Sequence, residues 1–366
     1  MAESEVNRLI KRTQRSQHVT LMDVARASGF SASTASIVLN EAPLSQHVAE
    51  KTKERIRSTA KALGYRPDIF AQSLRRRRTH TIGVMIFDIS DPFCTLILRG
   101  IEKAVDPTTY LPIIMDAHNE RKQFERYLAM LLERRVEGLI VVANWLFAEI
   151  DLLPEVTRHN IPMVVVGRDL FESSISSVIV DNEAGGYAAL EHLFELGHRR
   201  IAFLRGPAKL NDSNQRWQGM RRFAREHHLR IDAKLVRQLT GSSDPTSGFD
   251  GGYVLACELI DAQVPFTALV AFDDLTALGA VRALHKAGRA VPADCSVIGF
   301  DDVPPAALTS PSITTIRQPM EQMGALAAGW MLESLHAGPE GIEGPARREL
   351  LAPVLVVRES TAGAGL

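Results

Sequence analysis

From Thr81 onward, the sequence alternates short, continuously apolar runs with longer segments of amphipathic helical periodicity. Such apolar runs are typical of parallel strands buried on both faces, and parallel strands are joined by crossover helices. The pattern therefore predicts an α/β domain whose mostly parallel sheets are flanked by helices. The predicted strands are Ile82–Phe87, Gly138–Ala143, Met163–Gly167, Val178–Asp181, Ile201–Leu204, Ala268–Phe272 and Val297–Phe300. The predicted helices are Thr95–Val105, Lys122–Arg134, Ala184–Leu196, Arg216–His227, Gly248–Ile260, Leu275–Ala287 and Glu321–His336.

Ligands of open parallel sheets bind outside the carboxyl ends of the strands. Residues that directly follow a predicted strand are therefore candidates for ligand contact. They are Asp88, Asn144, Arg168, Asp273 and Asp301. We interpret Asp274 instead as the N-cap of the helix that follows, and Asp302 as a turn residue.

The N-terminal part of the sequence has a different pattern, that of short helices. Thr20 and Asp23 have capping-box spacing, so a first helix is expected to follow Thr20 and to end at Gly29. Ser31 is the expected N-cap of a second helix, Ala32–Asn40. Two short helices around a glycine-containing turn form a helix-turn-helix, whose second helix enters a DNA major groove.

A third helix is predicted at Ala49–Leu63, because Ile56, Ala60 and Leu63 fall on one helical face. Gly64 is expected to end it. Alanine at position 49 has no side-chain oxygen to cap this helix, so we expect either fraying or capping by Ser45.

Positive charge is concentrated in this N-terminal part. Residues 1–78 hold 15 basic and 7 acidic residues, a net charge of +8, whereas the remainder holds 27 basic and 36 acidic residues, a net charge of −9. The segment that ends in Arg75–Arg78 is too short to form a stable helix alone. A basic head on an acidic body indicates a polyanion contact at one end, although a basic solvated face without a partner has the same charge pattern.

Several segments resemble the LacI/GalR family of bacterial regulators. In the N-terminal part they are VTLMDVARASGFSASTASIVLN, VAEKTKERI and LGYRPDIFAQSLR. In the body they are TIGVMIFDISDPF, EGLIVV, IPMVVVGR, GHRRIAFLRGP, QRWQGMRRF, FTALVAFDDLTALGAVRALHKAG, VPADCSVIGFDDVPPA, TTIRQP and VLVVREST. The resemblance covers about residues 19–361 and implies an all-α helix-turn-helix headpiece joined to a two-lobed periplasmic-binding-protein-like domain with parallel sheets flanked by helices.

This resemblance implies the domain organisation. We expect a flexible arm over residues 1–18, the headpiece over 19–66, a hinge helix and linker over 67–79, the effector-binding domain over 80–361 and a tail over 362–366. Lobe 1 is expected to comprise about residues 80–180 and 312–340, and lobe 2 about residues 181–311 and 341–361.

The resemblance also implies the function, that of a sequence-specific, cytoplasmic transcriptional repressor. A homodimer is expected to bind a near-palindromic double-stranded DNA operator, with an affinity controlled by a small-molecule effector. The implied DNA-binding residues are Thr20, Ser31, Ala32, Ser33, Thr34, Ser36, Ile37, Asn40, Tyr65, Ala71, Leu74 and Arg75. Leu74 matches a leucine that wedges between base pairs, and Ala71 matches a small residue between two hinge helices. Ile37 replaces a common arginine, so the preferred operator should differ from the commonest family sites.

The implied effector-binding residues are Phe87, Asp88, Phe93, Asn144, Arg216, Ser243, Asp273 and Asp301. An arginine fork can bond two hydroxyls or a carboxylate, and the resemblance implies that the effector is a carbohydrate or a derivative. Ser243 stands where many sugar-binding members have an aromatic residue, so purines and other small metabolites stay open as alternatives.

Two other classes of protein fit the sequence less well. An enzyme is disfavoured because no nucleophile elbow, Walker loop, G-x-G-x-x-G or H-E-x-x-H motif occurs. A solute-binding protein for transport would begin with an apolar signal peptide and would not need a basic head. The three cysteines have no metal-ligand spacing, so we expect reduced thiols, no metal and no cofactor. No apolar run is long enough for a membrane span.

Overall fold

The computed structural model describes residues 19–40, 42–66, 78–143, 161–240, 247–338 and 345–364. The chain separates into two compact units, residues 1–79 and residues 80–366. No helix in these described ranges is long and apolar enough to cross a membrane.

The described part of the first unit folds into short helices around a small apolar core. The helices are α1 (Leu21–Ser28), α2 (Ala32–Leu39) and α3 (Glu50–Leu63), with a 3₁₀ turn at Pro43–His47. Val24, Ala35, Val38 and Ile56 are fully buried at their centre.

The predicted caps of the first two helices are confirmed. The backbone amide of Asp23 donates to Thr20 Oγ1 at 3.3 Å, and Asp23 Oδ2 accepts from the backbone amide of Thr20 at 3.0 Å. Gly29 ends α1 with a left-handed φ of 79°, and Ser31 Oγ accepts from the backbone amide of Thr34 at 3.0 Å. The third helix begins at Glu50 without any side-chain cap, so Ser45 does not supply one.

The second unit contains two sheets, as predicted from the strand and helix alternation. Sheet 1 has the strand order β11-β5-β4-β3-β1-β2, and all its neighbouring strands are parallel. Its strands are β1 (Thr81–Ile86), β2 (Leu111–Asp116), β3 (Gly138–Val142), β4 (Met163–Val166), β5 (Ser176–Val180) and β11 (Arg348–Leu351). We define lobe 1 as this sheet with the helices that cover it. These helices include α4 (Pro92–Val105), α5 (Arg121–Glu133), α11 (Met320–Ala337) and a 3₁₀ turn at Phe171–Ser173.

Sheet 2 forms lobe 2 and has the order β12-β10-β9-β8-β6-β7, parallel except for the antiparallel edge strand β12. Its strands are β6 (Ile201–Arg205), β7 (Val236–Gln238), β8 (Ala268–Ala271), β9 (Ser296–Asp301), β10 (Thr314–Arg317) and β12 (Val354–Val356). Its helices are α6 (Asn182–Glu195), α7 (Asn211–Glu226), α8 (Ser247–Asp261), α9 (Asp274–Lys286), α10 (Pro304–Leu308) and a 3₁₀ turn at Ala233–Leu235.

Two lobe boundaries differ from those predicted. β10 was expected in lobe 1, yet it pairs with β9 in sheet 2, and β11 was expected in lobe 2, yet it pairs with β5 in sheet 1. The chain therefore leaves lobe 2 after Arg317 and returns to it between Leu351 and Val354. The physical reason is backbone hydrogen bonding, because β9 and β5 each need a neighbour for their peptide groups on that side.

Helix pairs in both lobes approach closely through glycines. A Cβ on Gly100 of α4 would lie 2.0 Å from the carbonyl oxygen of Glu321 on α11. A Cβ on Gly186 of α6 would lie 2.0 Å from the carbonyl oxygen of Arg216 on α7. The second contact fixes the helix turn that carries Arg216, a residue of the cleft described next.

Candidate functional site

Helix α2 in the first unit presents a polar surface. Its buried side chains are Ala35 and Val38, whereas Ser31 and Ser33 are exposed. Thr20 is also exposed, and the other predicted DNA-binding residues that the structure describes are half-buried: Ala32, Thr34, Ser36, Ile37, Asn40 and Tyr65. The helix carries no charged residue, so it can approach a base edge without bringing negative charge to the phosphates. The predicted hinge contacts Ala71, Leu74 and Arg75 lie outside the described residues.

Local hydrogen bonds organise the ends of α2. The hydroxyl groups of Ser31 and Thr34 lie 2.8 Å apart. At the other end, Asn40 Nδ2 donates to Ser36 Oγ at 3.0 Å. These bonds fix hydroxyl and amide groups at the surface of the helix that the sequence assigns to the major groove.

A cleft opens between the two lobes of the second unit, with a volume of about 1090 Å³ including the part open to solvent. Lobe 1 contributes Phe87, Asp91, Pro92, Phe93, Asn119 and Ala143. The remaining lining residues are Pro207, Leu210, Asp212, Arg216, Leu239, Thr240, Gly248, Phe272, Asp273, Leu275, Asp301, Val303 and Gln318. Many of them lie at or directly after the carboxyl ends of β1, β3, β7, β8, β9 and β10, where parallel sheets bind ligands.

The structure brings five of the predicted effector-binding residues to this cleft: Phe87, Phe93, Arg216, Asp273 and Asp301. Asn144 and Ser243 lie outside the described residues. Asp88 does not line the cleft, because its carboxylate is buried against its own lobe. Asp88 Oδ1 accepts from the backbone amide of Ser90 at 2.9 Å, and Oδ2 accepts from Asn119 Nδ2 at 3.2 Å. Asp88 therefore positions Asn119, which does line the cleft. Arg168 is absent from the lining as well.

Hydrogen bonds and ring contacts within the protein hold Arg216 in place at the cleft wall. Its Nε donates to Asn182 Oδ1 at 2.9 Å, and its Nη1 donates to the carbonyl oxygen of Phe272 at 2.7 Å. The guanidinium carbon lies 3.6 Å from the ring centroid of Phe300 and 4.7 Å from that of Phe272. A guanidinium fixed between two rings is pre-organised for ligand contact.

Asp301 completes this arrangement. Its Oδ1 lies 3.4 Å from Arg216 Nη2 and accepts from Gln318 Nε2 at 2.5 Å. The two side chains of the ion pair are 5% and 14% exposed, for Arg216 and Asp301 in that order. Burial raises the pKa of Asp301 well above its usual range, and the charge of Arg216 opposes that shift. Asp301 also has a positive φ of 111°, a backbone conformation that non-glycine residues rarely adopt.

Two aspartates at helix starts face the cleft from opposite lobes. Asp91 Oδ1 accepts from the backbone amide of Phe93 at 2.9 Å and caps α4. Asp273 Oδ1 accepts from the backbone amide of Thr276 at 2.7 Å and caps α9. Burial raises the pKa of Asp91 to about 7, and the negative charges of Asp273 and Asp88 add to that effect.

The predicted N-cap role of Asp274 is wrong, because Asp273 caps the helix. Asp274 is instead fully buried, with Oδ1 accepting from Thr315 Oγ1 at 2.6 Å and Oδ2 accepting from the backbone amide of Val303 at 2.9 Å. Burial raises the pKa of Asp274 to about 7. Asp302 has a left-handed φ of 61°, as a turn residue can, and it also accepts from Arg317 Nε at 2.6 Å.

Five polar lining residues were missed from the sequence: Asp91, Asn119, Asp212, Thr240 and Gln318. Gln318 directly follows β10, so the rule that identified Asp273 would have found it, had that strand been predicted. Asp91 precedes Pro92 at the start of a helix, where a capping role is the simpler interpretation. The described residues contain no group of three or more His, Cys, Asp or Glu side chains that could hold a metal ion.

Comparison with known proteins assigns both units to a family. Residues 20–68 match the model of bacterial regulatory proteins of the lacI family, and residues 190–361 match a periplasmic binding protein-like domain. The chain is 33% identical to the HTH-type transcriptional repressor PurR of Photorhabdus laumondii over 317 residues, 86% of this chain and 90% of that protein. It is 30% identical to the HTH-type transcriptional regulator DegA of Bacillus subtilis over 343 residues, 93% of this chain and 98% of that protein.

Solved structures agree with this assignment. The lac repressor dimer bound to operator and the anti-inducer ONPF matches with a TM-score of 0.80 and 27% identity, over 94% of this chain and 99% of that chain. The transcriptional regulator CelR in complex with cellobiose matches with a TM-score of 0.68 and 29% identity, over 94% and 100% of the two chains. A LacI family regulator from Enterococcus faecium with bound ribose matches with a TM-score of 0.67 and 28% identity, over 78% and 100%.

The fold predicted from the sequence is thereby confirmed, with a helix-turn-helix unit preceding a periplasmic-binding-protein-like unit. Proteins of this family are transcription regulators and not enzymes. This chain belongs to the LacI family of bacterial DNA-binding transcription regulators.

Proposed function

We propose that this protein represses transcription by binding a near-palindromic operator as a homodimer, and that a small molecule in the cleft controls its affinity for DNA. The main support for this proposal is the cleft, because its walls belong to two different lobes. The chain passes between these lobes three times. A ligand that touches both walls binds their open and closed arrangements differently. Such differential affinity is what allows a ligand to shift a conformational equilibrium.

On the DNA side, we assign base contacts to Ala32, Ser33 and Ile37 of α2. The remaining contacts to phosphates and sugars are assigned to Thr20, Ser31, Thr34, Ser36, Asn40 and Tyr65. Isoleucine at position 37 can contact a thymine methyl group or a sugar but cannot donate to guanine, so the operator should differ here from the commonest family sites. A site of action on the chromosome places the protein in the cytoplasm.

The hinge contacts are proposed from the sequence. Leu74 would wedge into the minor groove at the operator centre, Ala71 would allow the two hinge segments to approach, and Arg75 would contact a phosphate. The Leu74→Ala variant should weaken binding to the specific operator by about tenfold or more, with little effect on random duplex, since a wedge acts only where the DNA is kinked. Equal losses on the two duplexes would show that Leu74 is not the wedge.

On the effector side, we propose a carbohydrate or carbohydrate derivative. Arg216, Asp273 and Asp301 would bond its hydroxyl groups, and Phe87 and Phe93 would pack against its ring. Asn144 and Ser243 are proposed contacts on the sequence alone, and Asp88 would act through Asn119. The ligands in the CelR, E. faecium and lac repressor structures are cellobiose, ribose and ONPF, which supports this ligand class.

The test is DNA binding by the full-length protein. We expect selection from a random duplex library to give a near-palindromic site, with an affinity that falls steeply as salt is raised from 50 to about 200 mM. Addition of the correct effector should change that affinity. A protein that selects no sequence and binds no duplex at low salt would contradict the proposed function, whatever small molecules it binds.

A further inference from the structure

We propose that the effector carries a positively charged amine, and that this amine lies between the carboxylates of Asp91 and Asp273. The inference rests on the proposed function, because it assigns the chemical class of the ligand that the same cleft would bind. An amino sugar is the simplest molecule that unites this charge with the hydroxyl chemistry assigned above.

The described part of the cleft wall has more negatively charged than positively charged side chains. Among the described residues that line it, the carboxylates are Asp91, Asp212, Asp273 and Asp301, whereas the only Lys or Arg side chain is Arg216. Carboxylates shielded from water without partners cost free energy, so this excess of acids favours a ligand that brings positive charge.

Arg216, the one Lys or Arg side chain on the described part of the cleft wall, already contacts protein groups. Arg216 donates to Asn182 Oδ1 and to the carbonyl oxygen of Phe272, and its Nη2 lies 3.4 Å from Asp301 Oδ1. Its charge also lowers the pKa of Asp212 against the rise that burial causes there. Arg216 therefore compensates charge on the side of the cleft where Asp212 and Asp301 lie.

Asp91 and Asp273 are left without such compensation. Among the ion pairs of the described residues, none includes Asp91 or Asp273. One oxygen of each accepts from its own helix, and the positive ends of α4 and α9 supply about half a charge apiece. The pair therefore keeps a net negative charge that a ligand can neutralise.

The surroundings of this pair suit a ring that bears an ammonium group. A Cβ on Gly248 would lie 3.7 Å from both carboxylate oxygens of Asp273, so glycine leaves open space beside that carboxylate. The rings of Phe87 and Phe93 line the same cleft as Asp91, and their centroids lie 6.3 Å apart. Aromatic faces attract cations and pack against the apolar faces of sugar rings.

The position of the pair also gives the amine a mechanical effect. Asp91 belongs to lobe 1 and Asp273 to lobe 2, so their mutual repulsion opposes closure of the empty cleft. An ammonium between them would replace this repulsion with attraction to both lobes. The positive charge of the ligand would thus favour closure of the two lobes. This is the motion that the proposed function requires.

The experiment uses the full-length protein and three matched probe sets. Each set contains a hexose (glucose, galactose or mannose), its 2-amino-2-deoxy form and its N-acetylated form, with the corresponding uronate as an anionic probe. Binding is measured by thermal shift and by calorimetry in non-amine buffer. We expect at least one amino sugar to bind about tenfold or more tightly than both its hexose and its N-acetyl form, because hydrogen bonds to a charged group are stronger than those between neutral groups.

Two variants test whether Asp91 and Asp273 are the carboxylates that bind the amine. Asp91→Asn and Asp273→Asn keep the oxygen that caps each helix, and each should reduce the preference for the amino sugar over its hexose by about tenfold. Asp106→Asn is the matched control, since Asp106 lies exposed at the opposite end of α4. In wild-type protein, the bound amine should also expel a proton from the site, so the calorimetric heat at pH 7 should depend on the ionisation enthalpy of the buffer.

Preferred binding of a hexose, an N-acetyl sugar or a uronate would overturn this inference and leave the proposed function standing. A panel in which no amino sugar binds would overturn it as well. Sequence-specific DNA binding is scored separately, because its absence contradicts the proposed function and not this inference.

Discussion

At the scale of single residues, the second unit holds two aspartates where water is scarce, one at the cleft and one inside lobe 2. Asp91 and Asp274 both have a pKa of about 7, and burial is the first cause in each case. Their roles differ, because Asp274 is satisfied by Thr315 and Val303 inside lobe 2, whereas Asp91 faces the cleft. Asp274 therefore belongs to the structure of the lobe and Asp91 is available to a ligand.

The raised pKa of Asp91 predicts how stability depends on pH. The unfolded chain releases this proton near pH 3.8 and the folded chain near pH 7, so the free energy of unfolding should fall as pH rises between these values and should level off above pH 7. Asp91→Asn removes this contribution. We expect it to raise the free energy of unfolding at pH 7.5 by on the order of 1–2 kcal/mol and to have little effect near pH 4.

Urea denaturation of the effector-free protein at pH 4.5, 6 and 7.5 measures this difference. Asp106→Asn serves as the control and should stay within about 0.5 kcal/mol of wild type. An Asp91→Asn variant that is less stable than wild type at pH 7.5 would show that the ionised carboxylate stabilises the fold.

At the scale of helices and strands, glycine contacts set the position of the cleft residues. Gly186 on α6 and Gly219 on α7 each meet backbone of the partner helix. A Cβ added to Gly186 would lie 2.0 Å from the carbonyl oxygen of Arg216, and one added to Gly219 would lie 1.9 Å from that of Glu183. The two helices can be this close only without side chains at these points. The guanidinium of Arg216 is thereby brought between Phe272 and Phe300.

Gly186→Ala should separate these helices and displace Arg216. We expect it to reduce the free energy of unfolding by about 1–3 kcal/mol and to weaken effector binding, because overpacking moves the backbone. The matched control is Gly329→Ala on α11, where a Cβ meets nothing within 4 Å. That variant should be equal to wild type or more stable by up to about 1 kcal/mol, because alanine is the better helix former.

Chemical denaturation and calorimetric titration of the two variants make the comparison. If Gly186→Ala and Gly329→Ala behaved alike in both measurements, the close contact between α6 and α7 would not be what positions Arg216.

The elements that could be predicted from the sequence are those with strong patterns. β1, β3, β4 and β8 are almost wholly buried runs of apolar residues, and the sequence identifies them because both faces of the sheet are covered. The strands that it missed lie mainly at sheet edges. β2 contains a proline and has no fully buried residue, and β11 is polar until its last two residues. Pairing with a neighbour forms such strands, and a local pattern does not reveal that neighbour.

The same limit applies to the site. Arg216, Asp273 and Asp301 were predicted because each matches the resemblance or follows a predicted strand. Gln318 was missed with β10, and the exchange of capping roles between Asp273 and Asp274 depends on a contact with Thr315, 41 residues further along the chain. Long-range contacts of this kind decide which of two adjacent aspartates faces a ligand.

At the scale of the whole molecule, the part that would bind DNA is basic, and the part that would bind the effector is acidic. The net charge of +8 in residues 1–78 suits attraction to DNA, and the acidic remainder includes the cleft that would bind the effector. For the effector to control transcription, its binding in the cleft must change the affinity of the protein for the operator. A ligand can do so only to the extent that it favours one arrangement of the lobes over the other.

The most direct measurement of this coupling is the operator dissociation constant with and without saturating effector, for wild type and for Arg216→Lys. Lysine keeps the positive charge beside Asp301 but lacks the planar fork, so this variant should bind operator normally and bind effector poorly. We predict that effector changes the wild-type dissociation constant by about tenfold or more and leaves that of Arg216→Lys unchanged at the same concentration. A wild-type operator affinity that stays constant while effector saturates the cleft would contradict the account.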